Sequence, residues 1–505
     1  MAVAAPSARP SLRARARRVS IPAPLGALWL ACTLLCLAWT VTTAPLQGPD
    51  EHNHVAYVQQ LAETGDGPSF GGEFAAVEGG DSWSTEQKEL HRWQGLFGLI
   101  GLANARPGWT EVEQQRFEAF EDNLPPGAQA DGLGPNPVAQ NPPLYYAYEA
   151  VPYLLTSWAD LPSRLLAMRA ANLPLLLIIV TATWLAAGEI FRRRRRMAQT
   201  IAAGSVALLP QLGFMSGIVN PDFMLDAIWA SFAWVAVAAI RLGPKPLPLL
   251  GLGGLAAASA LTHGRGLAIL GPLAVTLAVM LWRHRPLTRR ALAWTGGLAV
   301  VVGVGLVAAF AYSSAHGGES SLGGEVGSTT GAGSPQGFLS YLFQFYLPGL
   351  RTMSPQGPDY GYGQVFIEGL GGTFGSLEVQ YPFWVYDLLQ LAAALGIAAL
   401  LACVVRRWET VKTRWPQIVV VASIPVCMLA LLHAASYRDL QGPPFDPLIT
   451  GRYLLTLLAP MGLAIAFVCS SLPRRWGALL GTLVLTVFAI LGMTGLGLTI
   501  TRFYA

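Results

Sequence analysis

Charged side chains are scarce in this chain: Asp, Glu, Lys and Arg make up 12% of 505 residues, against 53% hydrophobic. A soluble domain carries about twice that share of charge, so the composition excludes one. Cysteine is scarce too. The five present, Cys32, Cys36, Cys403, Cys427 and Cys469, all fall inside apolar runs. That excludes a disulfide framework or a cysteine metal site in any external segment. No internal repeat with a period of about 20–50 residues is visible, which removes repeat architectures. The net charge of +4 says little as a total. The placement of the charges says much more.

What the chain has instead is a series of apolar runs near twenty residues long, each enough to cross roughly 30 Å of hydrocarbon. They predict crossings at about 24–43, 166–190, 198–218, 223–241, 246–262, 266–282, 291–312, 385–405, 416–434, 453–471 and 477–498. Lys and Arg cluster at Arg9–Arg18, Arg192–Arg196, Arg241/Lys245, Arg283–Arg290, Arg406–Arg414 and Arg474/Arg475. Eleven crossings put all of these on one side, the cytoplasmic side by the preference of basic loops, and the N-terminus with them. Acids outside the helices then fall almost entirely on the opposite face, Glu189 and Glu409 excepted. The run from Pro142 to Trp158 is apolar enough to suggest one more crossing. Counting it would carry Arg192–Arg196 outside, so it is read as an interfacial helix with its Tyr and Trp at headgroup level. The arginine run itself reads as a topology anchor, and no nucleic-acid partner is expected.

This divides the chain into a basic cytoplasmic N-terminus (1–23), a first membrane part (24–312) containing an external loop (45–165), a second external segment (313–384) and a second membrane part (385–505). Both external segments are far longer than connectors need to be. The first holds Ser84-Thr85-Glu86-Gln87, with Thr85 as the expected N-cap of a short helix, and a polar helical patch at Thr110–Asn123. The second opens with a Gly/Ser/Thr-rich run, Gly317 to Ser334, and turns aromatic at Phe338–Tyr346 and Tyr360–Phe366. Such a pair of segments suits a lid or a lipid-contacting ledge, and equally a plain surface loop.

Polar residues that could carry chemistry gather on the external face. Asp50-Glu51 follows the first crossing, with His54 one helical turn beyond Asp50. Adjacent acids at headgroup depth are costly, and they suit a base that takes a proton from an acceptor at the membrane surface. Asn220-Pro221-Asp222 ends the third crossing and starts the fourth; Thr262-His263-Gly264-Arg265-Gly266 joins two apolar pieces; Thr450-Gly451-Arg452-Tyr453 opens the tenth. Taken singly, each has an ordinary reading as a capping turn, an interfacial snorkeller or a headgroup anchor. Their convergence on one face is the argument for a site.

Asp50-Glu51-x-x-His54, Gln140-Asn141-Pro142-Pro143-Leu144-Tyr145-Tyr146, Asn220-Pro221-Asp222, Phe374-Gly375 before Pro382-Phe383-Trp384-Val385-Tyr386, and Gly451-Arg452-Tyr453 occur in this order. Together they resemble the bacterial membrane proteins of domain of unknown function 2142, over most of the chain. That family resembles the GT-C superfamily of glycosyltransferases, which includes protein O-mannosyltransferases and aminoarabinose transferases. The resemblance implies an all-α polytopic membrane protein of the bacterial plasma membrane, a GT-C-like bundle of about eleven transmembrane helices with a large first external loop. It implies transfer of a sugar from a polyprenyl-phosphate donor to a cell-envelope glycan or glycolipid acceptor on the outer face, with inversion. Two departures stand out: His52 occupies a position where the pattern has Pro after the acid pair, and Thr262–Arg265 falls where it has Lys.

On that reading the leaving phosphate is already good, and the enzyme needs a carboxylate for the acceptor hydroxyl and a cation for the phosphate. Carry-over favours Asp50 as base, with Glu51 second. Arg452 is the first candidate for the phosphate, then Arg265 and His263, because a guanidinium fork matches phosphate oxygens. Tyr145, Asn220, Asp222 and Tyr453 join them as substrate contacts. His54 could orient the carboxylate, donate to substrate, or join Asp50 as ligand to a divalent cation, the only cofactor left open. Rival classes are a glycan polymer ligase or polymerase of the same superfamily, a lipid or sugar flippase, and an anchored scaffold. A flippase would place its ionisable groups near the bilayer midplane, often in repeated halves.

Overall fold

Caps and prolines set where the helices start. The computed structural model describes residues 21–70, 82–191, 195–317, 335–347, 350, 353, 362–440 and 450–505. The basic cluster Arg9–Arg18, residues 318–334 of the Gly-rich run, residues 192–194 and Tyr360 lie outside the described residues. In chain order the helices are α1 (Ala23–Thr42), α2 (Glu51–Thr64), α3 (Thr85–Gln94), α4 (Glu111–Asp122), α5 (Leu144–Leu155), α6 (Leu161–Ile190), α7 (Arg195–Ala207), α8 (Pro210–Met215), α9 (Pro221–Leu242), α10 (Pro246–Thr262), α11 (Leu270–Arg283) and α12 (Arg289–His316). After them come α13 (Pro335–Tyr346), α14 (Tyr362–Gly371), a short antiparallel pair β1 (Thr373–Phe374) and β2 (Val379–Gln380), α15 (Phe383–Arg406), α16 (Trp408–Thr413), α17 (Trp415–Asp439), α18 (Leu458–Ser471) and α19 (Arg474–Tyr504). Asp160, Asn220 and Thr288 cap α6, α9 and α12 by accepting backbone N–H bonds, and Pro162 and Pro221 stand where their missing N–H costs nothing.

Among the described residues, nine helices are long and apolar enough to cross a membrane. They are α1, α6, α9, α12, α15, α17 and α19, with α11 and α18 lengthened by the 3-10 turns Gly264–Ile269 and Gly451–Leu457 that precede them. The two other expected spans are shorter. α10 has 17 residues, and the run expected at 198–218 is broken into α7 and α8, because Pro210 forces Leu209 into an extended conformation. The break is braced from outside: the backbone N–H of Thr373 on β1 donates to Gln211 Oε1 at 2.9 Å.

α9 lies at the centre, packed against α6 on one side and α10 on the other, and it also meets α17 and the Gly451–Leu457 turn. α15 is its opposite. Tyr386 is the one buried side chain in that helix, and its leucines point outward, the distribution expected of a helix facing lipid.

The segment between α1 and α6 departs from expectation in two places. α3 is capped by Ser84, which accepts from Gln87 N at 3.1 Å, and not by Thr85, which is already inside the helix. Thr110 does cap α4, through a reciprocal box with Glu113. α5 is about 18 Å long, too short to span a bilayer. Its tyrosines are not an interfacial belt. Tyr145, Tyr146 and Tyr153 are fully buried against protein and Tyr148 is half-buried, because this helix packs on α2 and α6, while Val151, Leu154, Leu155 and, beyond its end, Trp158 are exposed.

Candidate functional site

The acid pair is split by backbone geometry. Asp50 is the N-cap of α2 and sits in the left-handed region, φ 58°, ψ 9°. A non-glycine residue there costs roughly 1 kcal/mol, so surrounding contacts must hold it. The kink sends the two neighbouring side chains in opposite directions: Asp50's is 49% exposed and Glu51's is fully buried.

Glu51 is saturated. Its carboxylate accepts from Arg169 Nε at 2.8 Å and Nη2 at 2.6 Å, from Gly48 N at 3.2 Å and from Val219 N at 2.9 Å. Arg169, in the first third of α6, spends its other donors on the carbonyls of Thr40, Thr43 and Ala44 at the end of α1. Such a pair is closed to any ligand. The expectation of Glu51 as a second base is therefore corrected to a structural one.

Asp50 instead faces a second arginine. Arg452 Nη2 donates to Asp50 Oδ2 at 2.8 Å, and Arg452 Nε lies 3.9 Å from Asp222 Oδ2. Asp222, in the first turn of α9, accepts on Oδ1 from Arg265 Nη2, with His263 Nε2 at 4.0 Å. The Arg265 guanidinium lies over the Tyr453 ring, 3.5 Å from its centroid, and that of Arg452 lies 5.5 Å from it. Four charged groups thus alternate in sign around one tyrosine. Arg452 is the least satisfied member, since its Nε and Nη1 are buried with no hydrogen-bond partner among the described residues. Open guanidinium donors in a dry place are costly, because each carries a desolvation penalty of about 1–3 kcal/mol until something accepts from it.

His54 and Asn220 form the layer behind. Asn220 Oδ1 accepts from Asp222 N, so its amide nitrogen points the other way, to Pro49 O at 3.2 Å and His54 Nε2 at 3.3 Å. That makes Nε2 the acceptor nitrogen and leaves Nδ1–H to donate to Tyr146 OH at 3.0 Å. Burial pushes the His54 pKa down to about 4, and burial together with Arg265 pushes that of His263 down to about 3. Both rings are neutral at physiological pH. For Asp50, desolvation in the cleft is the largest single influence and raises the pKa, but the charge and hydrogen bond of Arg452, added to the influence of His54 and His52, outweigh it and hold the carboxyl below the usual value.

These contacts also test the open question of a divalent cation. With both His54 nitrogens engaged and two guanidiniums beside the carboxylates, Asp50 and His54 do not form a cation site. No group of three or more His, Cys, Asp or Glu side chains among the described residues is arranged to hold a metal ion.

Of the residues expected in the site, Asp50, Asp222, His263, Arg265, Arg452 and Tyr453 come together at one end of the bundle, with His54 and Asn220 directly behind. Tyr145 is a layer deeper: its hydroxyl accepts from Asn220 N at 2.9 Å and it is fully buried. The residues that sequence reading missed are Arg169 and Asn172 on α6, the latter donating to Ile218 O at 2.7 Å. Arg169 left a signal, an arginine within a predicted span, which calls for a buried partner.

One further contact shapes the arginine. Gly451 presses on the backbone of α14: a Cβ there would lie 2.3 Å from Phe366 O and 2.4 Å from Leu370 N, and a Cβ on Gly369 would lie 2.6 Å from Gly451 N. The two glycines let main chain touch main chain immediately before Arg452.

No curated protein matches this chain. Among solved structures, it is similar to ArnT from Cupriavidus metallidurans in the apo state (14% identity, TM-score 0.45, 90% of this chain and 62% of that one). It is similar also to the apo oligosaccharyltransferase of Archaeoglobus fulgidus (12% identity, TM-score 0.45, 94% and 56%). A third is the arabinosyltransferase EmbB from Mycobacterium smegmatis (13% identity, TM-score 0.38, 99% and 43%). The chain spans less than two thirds of the length of each of these three. A family model matches residues 32–461, most of the sequence, and on that ground the chain belongs to the predicted membrane proteins of DUF2142.

Proposed function

We propose that this protein is a glycosyltransferase that moves a sugar from a polyprenyl-phosphate donor to a glycan or glycolipid acceptor of the cell envelope, on the outer face of the bacterial plasma membrane. The observation that carries the reading is the pairing of a half-exposed carboxylate, Asp50, with Arg452, an arginine with two buried nitrogens that have no partner among the described residues. In the reaction, the acceptor hydroxyl gives its proton to Asp50 and its oxygen bonds to the anomeric carbon. The bond from that carbon to the phosphate oxygen breaks, and the electron pair leaves with the polyprenyl phosphate. Asp50 Oδ1 has no hydrogen bond among the described residues, so it is the oxygen available for the proton. Arg452 steadies the negative charge that grows on the leaving oxygen, with Arg265 and Tyr453 fixing its surroundings. A single displacement of this kind inverts the anomeric centre. The flippase reading is less well supported, because the charged cluster sits at helix starts at one end of the bundle and not midway along broken helices.

The test is direct. Lipid extracts of a deletion strain should accumulate a polyprenyl-phosphate sugar absent from the wild type, and purified protein should transfer the labelled sugar from that lipid to an envelope acceptor. A deletion strain with an unchanged lipid profile, and protein inert toward every such donor, would end this reading. Transfer of preassembled oligosaccharide in place of one sugar would assign the protein to the polymer ligases.

A further inference from the structure

The two acids of the site, Asp50 and Asp222, come from turns that are 172 residues apart in sequence (222 minus 50), and no bond joins the acids to each other. Their spacing is nevertheless set beneath them. Glu51 accepts from Gly48 N in one turn and from Val219 N in the other, so a single buried carboxylate ties both together. Asn220 Nδ2 adds a second tie to Pro49 O. Gly48 lets the turns meet, since a Cβ on it would lie 2.9 Å from Ile218 Cγ2.

The anchor of this knot is one face of α6. Arg169 grips Glu51 with Nε and Nη2, donates from Nη2 to Ala44 O as well and from Nη1 to Thr40 O and Thr43 O, and Asn172, three residues on, holds Ile218 O. Arg169 has five N–H groups and makes five hydrogen bonds; the Glu51 carboxylate accepts four. Arg452, which holds Asp50 itself, makes one to protein and leaves two nitrogens without a partner among the described residues. Two buried arginines flank the same turn with opposite degrees of satisfaction. One is built to stay and the other to receive.

We infer that Glu51 and Arg169 are positioning residues, which fix Asp50 in its left-handed conformation and set its distance from Asp222 so that Arg452 can span the two. The inference rests on the proposed transfer reaction for its catalytic meaning, but the geometry it concerns can be read without any activity. Breaking the pair one side at a time would leave a buried charge and endanger the fold, so the informative variant replaces both partners by apolar residues of similar volume, Glu51→Met with Arg169→Met. Buried ion pairs exchanged in this way commonly keep or gain stability. The ties to Gly48 N and Val219 N disappear with the carboxylate.

Asp50 is exposed enough to be coupled by a carbodiimide, and the pH at which its labelling is half complete, followed by mass spectrometry, reports whether Arg452 still faces it. In the folded double variant the midpoint should move to higher pH, because the carboxyl loses the cation that holds its pKa down. Transfer should fall on the order of a hundredfold in kcat, the effect of an ångström-scale displacement, with little change in donor KM because Arg452 keeps its free donors. An unmoved midpoint overturns the inference, whether or not kcat falls, since a loss of activity alone would mean only a damaged structure. A moved midpoint in a protein whose wild type transfers no sugar would sustain the positioning role and remove the glycosyltransferase reading. Should the double variant fail to fold, Glu51→Asp keeps the charge opposite Arg169 but retracts the carboxylate from Val219 N, and the same midpoint is read on it.

Discussion

Removing the Arg452 side chain should weaken the binding of polyprenyl phosphate without unfolding the protein. Arg452 gives one hydrogen bond to Asp50 and holds two buried nitrogens with no partner. A phosphate entering beside Tyr453 can accept from these open nitrogens without displacing Asp50, and one such charged bond is worth roughly 1.5–3 kcal/mol. The net loss in Arg452→Ala is then about 1.5–3 kcal/mol, a Kd raised roughly ten- to hundredfold. Arg452→Lys should recover only part, because a point charge does not reproduce the fork. The fold should survive, since Asp222 keeps Arg265 and Asp50 is half exposed to water. Titration of detergent-solubilised protein with polyprenyl phosphate, beside a melting curve for each variant, makes the measurement. An unchanged Kd in a folded Arg452→Ala protein would refute the phosphate role and leave the residue a membrane anchor.

Asp50→Asn keeps size and hydrogen bonding but cannot take a proton, so transfer should drop by about 10²–10⁴-fold with donor affinity little altered; full activity would dismiss Asp50 as the base. Orientation can be read in intact cells: a cysteine at Glu118 should react with an impermeant thiol reagent, and one at Arg475 only after permeabilisation, while the opposite pattern would invert the assignment of faces. Stability should also depend on pH through His54 and His263. Their folded pKa values, about 4 and about 3, lie below the ordinary 6.5, so the unfolded chain binds more protons between those limits. Stability should be complete above about pH 6.5 and fall toward pH 4 by about 1.4 kcal/mol per pH unit for each histidine. Replacing His54 by Gln should flatten that slope, and an identical slope in the variant would show that the ring is not buried neutral.

The bundle and the gathering of the candidate residues at one end of it were legible because both depend on strong, local signals. Long apolar runs give spans whatever their neighbours, and Asn-Pro-Asp, His-Gly-Arg and Gly-Arg-Tyr each mark a helix start where polar groups must gather. What the sequence concealed was direction. Asp50 and Glu51 are chemically near-equals in a row, and only the left-handed backbone at Asp50 sends one into the cleft and the other to Arg169. Tyr145 and Tyr146 looked interfacial by composition, yet tertiary packing against α2 turns them inward. The span at 198–218 had the right hydropathy but carried Pro210, whose effect on the preceding residue outweighs apolar length. Ser84 and Thr85 are both good caps, and nothing local decides between them.

The glycine contact between Gly369 and Gly451 has a mechanical meaning. Side chains between two elements act as a cushion: rotamers shift, and one element can move a little without the other. Here the cushion is missing, with backbone atoms of α14 within about an atom's width of the chain that carries Arg452. Any displacement of α14 would therefore have to move the chain one residue before Arg452, with no side chain between the two to absorb it. An alanine at either glycine would place its methyl group in space already held by backbone, so the two segments would have to part and Arg452 would shift with them.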